Sequence, residues 1–277
     1  MQHRSGSLQT SDGLTLYTQA WLPGGSTKAS VVLAHGYAEH SGRYLHVAEH
    51  LARHGYAVFA IDHRGHGRSG GHRANVMRFG DFVTDLAAFI AVVQEQHPGV
   101  YLYGHSAGGA LAALYALEHQ RSLRGLILSS PYLVNAVPVS GFMLFAANLL
   151  SKISPHLPVQ DYDKRGLSRD PEVVRAFEAD ALSYQGKVKT RIGVEMLEAG
   201  HRVLEQAGRI TLPTLVFHGT ADPIADVNGS RQLFARLGSE DKRLKLYQGC
   251  YHEPHNDLDK REVLADVVDW LEERVGS

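Results

Sequence analysis

Five short runs of consecutive apolar residues mark the chain: SVVLAHG (30–36), AVFAID (57–62), VYLYGHS (100–106), GLILSSP (125–131) and PTLVFHG (213–219). Apolar residues that do not alternate with polar ones predict strands covered on both faces, as in a parallel sheet. RLKLYQ (243–248) reads as a last strand. Between these runs the period changes to that of a helix. In GDFVTDLAAFIAVVQEQHP, residues Phe82, Leu86, Phe89, Ile90 and Val93 fall on one face, with Asp81 as N-cap and Pro98 as the stop. Leu264, Val267, Val268 and Leu271 repeat the spacing near the end. Strand alternating with helix predicts a right-handed, doubly wound α/β sheet. Upstream, SLQTSDGLTLYTQAWLP carries the Asp12-Gly13 turn signal and reads as an antiparallel hairpin on the sheet's edge.

One interval breaks the alternation. Residues 132–212 far exceed the roughly one or two dozen that a single crossover helix needs. The expected organisation is a core formed by 1–131 and 213–277, with 132–212 inserted as a cap or lid. The insertion holds an apolar stretch, AVPVSGFMLFAANLL (136–150), and polar helical patterns such as DPEVVRAFEADAL (170–182). Ligands of open α/β sheets bind at the C-terminal edge of the strands, which is where such a cap would lie.

Composition narrows the partners. A hydrophobic fraction of 44% and a charged fraction of 21% are those of an ordinary globular protein. Lys and Arg (28) nearly balance Asp and Glu (29), so nothing in the charge suits nucleic acid. The single cysteine, Cys250, has no internal disulfide partner, which fits a reducing compartment. MQHRSGSLQTSDG lacks the apolar core of a signal peptide, and the 136–150 stretch is too short to span a bilayer. The expected location is cytoplasmic. Phe142, Met143 and Phe145 in the cap read either as core packing or as a patch for peripheral, transient contact with a membrane surface.

Candidate chemistry sits at the strand ends. Gly104-His105-Ser106-Ala107-Gly108 matches G-x-S-x-G, with a strand before it and a small-residue helix, AGGALAALYAL, after it. That context turns a glycine-rich bend into a candidate nucleophile elbow holding Ser106. A serine nucleophile needs a base and an orienting acid, in the order Ser, Asp or Glu, His. After PTLVFHG comes TADPIAD, which offers Asp222 or Asp226. Asp222 is preferred because it sits at the strand end ahead of Pro223, whereas Asp226 suits the N-cap of a helix starting near Val227. After RLKLYQ comes GCYHEPHND, where His252 is preferred as base and His255 competes, its alternative role being a solvated loop histidine. Two backbone N–H groups are expected for the oxyanion: that of Ala107, and that of Tyr37 in the loop after VVLAHG.

Taken together, HGYAEHSGRY, DHRGHGRSGG, GHSAGG, HGTADPIAD and YHEPHND resemble the monoacylglycerol lipase and lysophospholipase branch of the α/β-hydrolases. The likeness runs over nearly the whole chain and is greatest to bacterial monoacylglycerol lipases. It implies an α/β-hydrolase fold, Ser106, Asp222 and His252 as triad, and Tyr37 and Ala107 as oxyanion donors. It also implies that Glu39, Arg43 and His105 surround the polar end of the substrate, an acylglycerol or similar single-chain lipid ester. No cofactor and no metal is implied. Two positions depart from the family pattern. Ala107 stands where a Met is usual, and Phe177 stands where a cap Tyr is usual, so substrate contact there would be made by a ring without a hydroxyl.

Other signals lead elsewhere. Gly65-His66-Gly67-Arg68-Ser69-Gly70 fits G-x-G-x-x-G, yet no apolar-periodic helix follows it, as a dinucleotide site requires. His46, His50 and His54 share a helical face without another ligand type and read as a solvated face. The expected activity is hydrolysis of monoacylglycerols to glycerol and fatty acid through an acyl-enzyme. The alternatives are a lysophospholipase, a broad carboxylesterase, or a non-catalytic binding protein of the same fold.

Overall fold

The structure, a computed structural model, describes residues 1–97, 99–137, 140–161 and 163–275. The proposed helix stop at Pro98, and Pro138 and Val139 of the apolar stretch, lie outside the described residues.

Strands β1 (Gln2–Gln9) and β2 (Thr15–Leu22) form the antiparallel hairpin around the Asp12-Gly13 turn. Next come β3 (Ala29–Ala34), helix α1 (Leu45–Arg53), β4 (Tyr56–Ile61), α2 (Phe79–Gln96), β5 (Val100–His105), α3 (Ala107–His119) and β6 (Leu123–Ser129). The interval after β6 contains α4 (Gly141–Ile153), β7 (Pro158–Gln160), α5 (Pro171–Ala179), β8 (Val188–Lys189) and α6 (Thr190–Gln206). The chain closes with β9 (Thr214–Gly219), α7 (Val227–Arg236), β10 (Lys242–Tyr247) and α8 (Lys260–Val275).

Eight strands form one sheet in the order β1-β2-β4-β3-β5-β6-β9-β10, parallel from β4 through β10. Because side chains alternate across a strand, the sheet feeds two cores. Val32, Leu102 and Leu126 pack with Phe82, Leu111 and Met196 from α2, α3 and α6. Val31, Leu33 and Tyr103 pack on the other face with Leu51 of α1 and Val267 and Trp270 of α8. The central strands are buried on both sides, which is why they read as unbroken apolar runs. The edges differ. β1 is almost wholly exposed and polar, and β10 carries Lys242, Arg243 and Lys245, both compositions that discourage further strand pairing.

Within 132–212, β7 and β8 form a separate antiparallel pair. Helix α6 packs against α2 and α3 and contributes Ile192, Met196, Ala199 and Val203 to the core, so it serves as the crossover helix between β6 and β9. Helix α4 packs on α6 and leaves most of its apolar residues exposed. The start of α2 corrects the expected cap. Arg78, not Asp81, occupies the N-cap position, and the N–H of Phe79 is accepted by Glu195 of α6 at 2.5 Å. A carboxylate from a distant helix thus does the capping, and Asp81 sits in the first turn paired with Arg78.

Candidate active site

Strand β5 runs into α3 through Ser106, whose φ of 54° and ψ of −121° lie in a region that side-chain-bearing residues rarely adopt. The bend brings backbones so close that glycine is required on either side. A Cβ on Gly104 would come within 2.3 Å of the Gly108 carbonyl oxygen, and one on Gly108 within 2.3 Å of the Ala34 carbonyl oxygen. Ser106 Oγ is held at the mouth of α3, where the N–H of Ala107 has no acceptor within the helix.

Loops after β9 and β10 meet this serine. His252 Nε2 lies 2.8 Å from Ser106 Oγ, and its Nδ1 lies 2.7 Å from Asp222 Oδ2. Asp222 is itself fixed, since its Oδ1 accepts the N–H groups of Ile224 (2.8 Å) and Ala225 (3.0 Å). Burial alone would pull the His252 pKa down, but the adjacent Asp222 carboxylate outweighs it and raises it above the ordinary value. Burial likewise works to raise Asp222, and the two imidazoles beside it hold its pKa well below the usual carboxylate range. Asp226 is elsewhere: its carboxylate accepts the Asn228 N–H as the N-cap of α7.

His255 is neither a rival base nor solvated. It is fully buried, its ring stacks on Tyr44, and its carbonyl pairs with His46 Nε2 at 2.8 Å. That contact also corrects the reading of α1, because His46 faces inward while His54 is exposed. His105, also buried, has its Nδ1 3.0 Å from Ser129 Oγ, and its ring lies 4.9 Å from that of His252. Burial and the neighbouring His252 lower its pKa to about 3, so it stays neutral and does not compete for the proton.

Glu39, Arg43 and Phe177 form one buried cluster beside the serine. Glu39 Oε1 accepts the Gly36 N–H and the Tyr44 hydroxyl, each at 2.6 Å, and its Oε2 accepts Arg43 Nη1 at 2.6 Å. Arg43 also grips both oxygens of Glu253, at 2.7 and 2.8 Å, and its guanidinium lies 4.9 Å from the Phe177 ring centre. Phe177 is 1% exposed. Burial raises the Glu39 pKa despite Arg43, whereas the two-point grip of Arg43 draws Glu253 down against its burial. These polar groups are engaged with one another, so their effect on the site runs through the loop they hold. Glu39 ties down Gly36, the residue before Tyr37, and the segment after α5 meets the same loop where Tyr184 N–H donates to Ala38 O at 2.7 Å.

Tyr37 and Ala107 line a common small cavity of about 20 Å³ with His63, His66, Phe79 and Met196. The small Ala107 side chain leaves this space open between the loop after β3 and helices α2 and α6. Asn256 steadies Glu253 at 2.7 Å, and His218 contacts Asp222. Sequence reasoning missed both Glu253 and His218. Glu253 directly follows the candidate base, and His218 stands four residues ahead of the candidate acid, so each lay within a stretch already singled out.

This sheet, with a serine on the strand-to-helix turn after β5, defines an α/β-hydrolase, and the chain is a serine ester hydrolase of that class. The family described as serine aminopeptidase, S33, matches residues 25–259, and the chain belongs to it. It is 38% identical over 94% of its length to a monoacylglycerol lipase of Mycolicibacterium smegmatis, covering 93% of that protein. It is 38% identical over 97% of its length to a monoglyceride lipase of Rattus norvegicus, covering 90% of that protein. The solved structure of Paleococcus ferrophilus monoacylglycerol lipase superposes with a TM-score of 0.86 at 32% identity, over 94% of this chain and 99% of that one.

Proposed function

We propose that the protein hydrolyses monoacylglycerols to glycerol and a free fatty acid, with Ser106, His252 and Asp222 as triad. The observation that carries this reading is the unbroken line from Ser106 Oγ through both nitrogens of His252 to Asp222. The names of the relatives support the substrate class.

In this reading Ser106 Oγ attacks the ester carbonyl carbon while its proton passes to His252 Nε2. The carbonyl oxygen becomes an oxyanion held by the N–H groups of Ala107 and Tyr37. As the tetrahedral species collapses, the bond to the glycerol oxygen breaks and His252 protonates the departing alkoxide. Water, deprotonated by the same histidine, attacks the acyl-enzyme and releases the fatty acid and Ser106. Asp222 keeps the proton of the resting imidazole on Nδ1 and stabilises the imidazolium. Glu39 and Arg43 act on the site by shaping the loop that bears Tyr37.

The exposed face of α4 suits a lipid interface, and we propose that it provides transient contact with a membrane or an emulsion. Phe142 is 80% and Phe145 70% exposed, with exposed Met143 beside them and exposed Ile153 at the C-terminal end of the same helix. No helix among the described residues is long and apolar enough to cross a membrane.

The test is a substrate panel with the purified protein: 1-monoacylglycerols, lysophosphatidylcholine and short-chain p-nitrophenyl esters. Monoacylglycerols should give the highest kcat/KM, with equimolar glycerol and fatty acid. A preference for lysophosphatidylcholine would replace the substrate class, and no turnover of any ester would remove the reading.

A further inference from the structure

Asp222 Oδ2 is shared by two histidines. Besides His252 Nδ1 at 2.7 Å, it faces His218 Nε2 at 2.9 Å. His218 lies on β9 and, like Asp222, is fully buried. Its Nε2 points at two oxygen acceptors, Asp222 Oδ2 and the Ala225 carbonyl at 3.1 Å, so Nε2 carries the ring proton. Its Nδ1 lies 2.7 Å from Ser230 Oγ on α7, which keeps the ring from turning over. With Ile224 and Ala225 N–H groups on Oδ1, each carboxylate oxygen accepts two hydrogen bonds.

We infer that His218 is a positioning residue for the hydrolytic reaction. By donating to the same oxygen that holds His252, it sets the direction of Oδ2 and moderates the charge that Oδ2 presents to the imidazole. The inference rests on the triad proposed above. A hydrogen bond to a carboxylate stabilises its charge and lowers its basicity, and in a site closed to water no solvent molecule takes over a deleted donor. Without His218, Asp222 would be the stronger partner for the imidazolium, and His252 would release its proton at higher pH. Its aim would also loosen, since only Oδ1 would remain tied to the loop.

Other groups act on His252 and stay unchanged when His218 is altered. Glu253 and Glu39 raise its pKa, and both are bound by Arg43. The rings of His105 and His255 stay neutral because they are buried. A displaced acid limb therefore reports on Asp222.

The experiment is the pH profile of kcat/KM for a 1-monoacylglycerol, which reads the free-enzyme pKa of the base. His218→Leu should lower the plateau by on the order of tenfold to a hundredfold and move the acid limb up by about half a pH unit or more. His218→Gln, which keeps an N–H donor near Nε2, should restore both. Ser230→Ala should shift the limb in the same direction by less, and it carries the test if thermal melting shows His218→Leu to be unfolded. An unchanged limb in both His218→Leu and Ser230→Ala, or a Gln variant as impaired as Leu, would overturn the role of His218. Ser106→Ala, run in parallel, separates the two layers: if it retains activity, the triad reading itself fails.

Discussion

His252 stands between Ser106 and Asp222, 2.8 Å from the hydroxyl and 2.7 Å from the carboxylate, although 146 and 30 residues of chain separate it from them. In the proposed triad the carboxylate holds the imidazole tautomer, so its loss can be separated from loss of fold. Asp222→Asn should lower kcat by about 10⁴-fold. Asp226→Asn, nearby in sequence but confined to the cap of α7, should leave kcat within about twofold and shift stability by well under 1 kcal/mol, because Asn caps as well as Asp. Steady-state kinetics and thermal melts of the two variants check this.

Arg43 is the sole cation bound between Glu39 and Glu253 among the described residues, and all three side chains are largely buried. Removing one partner of a buried ion cluster leaves uncompensated charge, a loss of about 3–5 kcal/mol. Arg43→Met should therefore lower stability by about that amount in urea unfolding. Activity should fall beyond what the unfolded fraction explains, since Glu39 also holds the loop bearing Tyr37.

Acid should unfold the protein early. His63, His66 and His105 are buried, and burial lowers their pKa values to about 3, about 4 and about 3. In the unfolded chain each titrates near 6.5, so the unfolded state takes up protons first as pH falls. The stability these three histidines contribute is full above about pH 6.5 and declines below it by up to about 1.4 kcal/mol per pH unit for each, until the folded pKa is reached. Against a typical total of about 5–15 kcal/mol, three such groups place acid unfolding well above pH 3. Denaturant melts at pH 7, 6, 5 and 4 should show this slope.

The α4 surface is tested by charge. Phe142→Glu with Phe145→Glu should leave thermal stability within about 0.5 kcal/mol, because both side chains are exposed. Hydrolysis of monoacylglycerol in vesicles should fall severalfold, while a soluble short-chain ester should be cleaved at the parent rate. Equal loss on both substrates would remove the docking role.

Much of this was legible in the chain. The parallel strands announced themselves as continuous apolar runs, because each is covered on both faces, and the edge hairpin announced itself through Asp12-Gly13. Ser106, Asp222 and His252 could be singled out because each follows a strand end, where backbone geometry delivers side chains to a common rim. What stayed hidden depends on contacts between distant segments. Glu195 caps α2 from α6, His46 turns inward to the carbonyl of His255, and Glu253 meets Arg43 across the molecule. No local period or spacing encodes such meetings; they exist only once the sheet has brought the loops together.

The central claim is that Ser106 carries the acyl group. Peptide mass spectrometry of protein quenched in acid during turnover of a monoacylglycerol tests it most directly. The account predicts the acyl mass on the peptide containing Ser106 and none on the Ser106→Ala protein, which should also release glycerol at least about 10⁴-fold more slowly. An acyl group on a different residue, or undiminished glycerol release by Ser106→Ala, would contradict it.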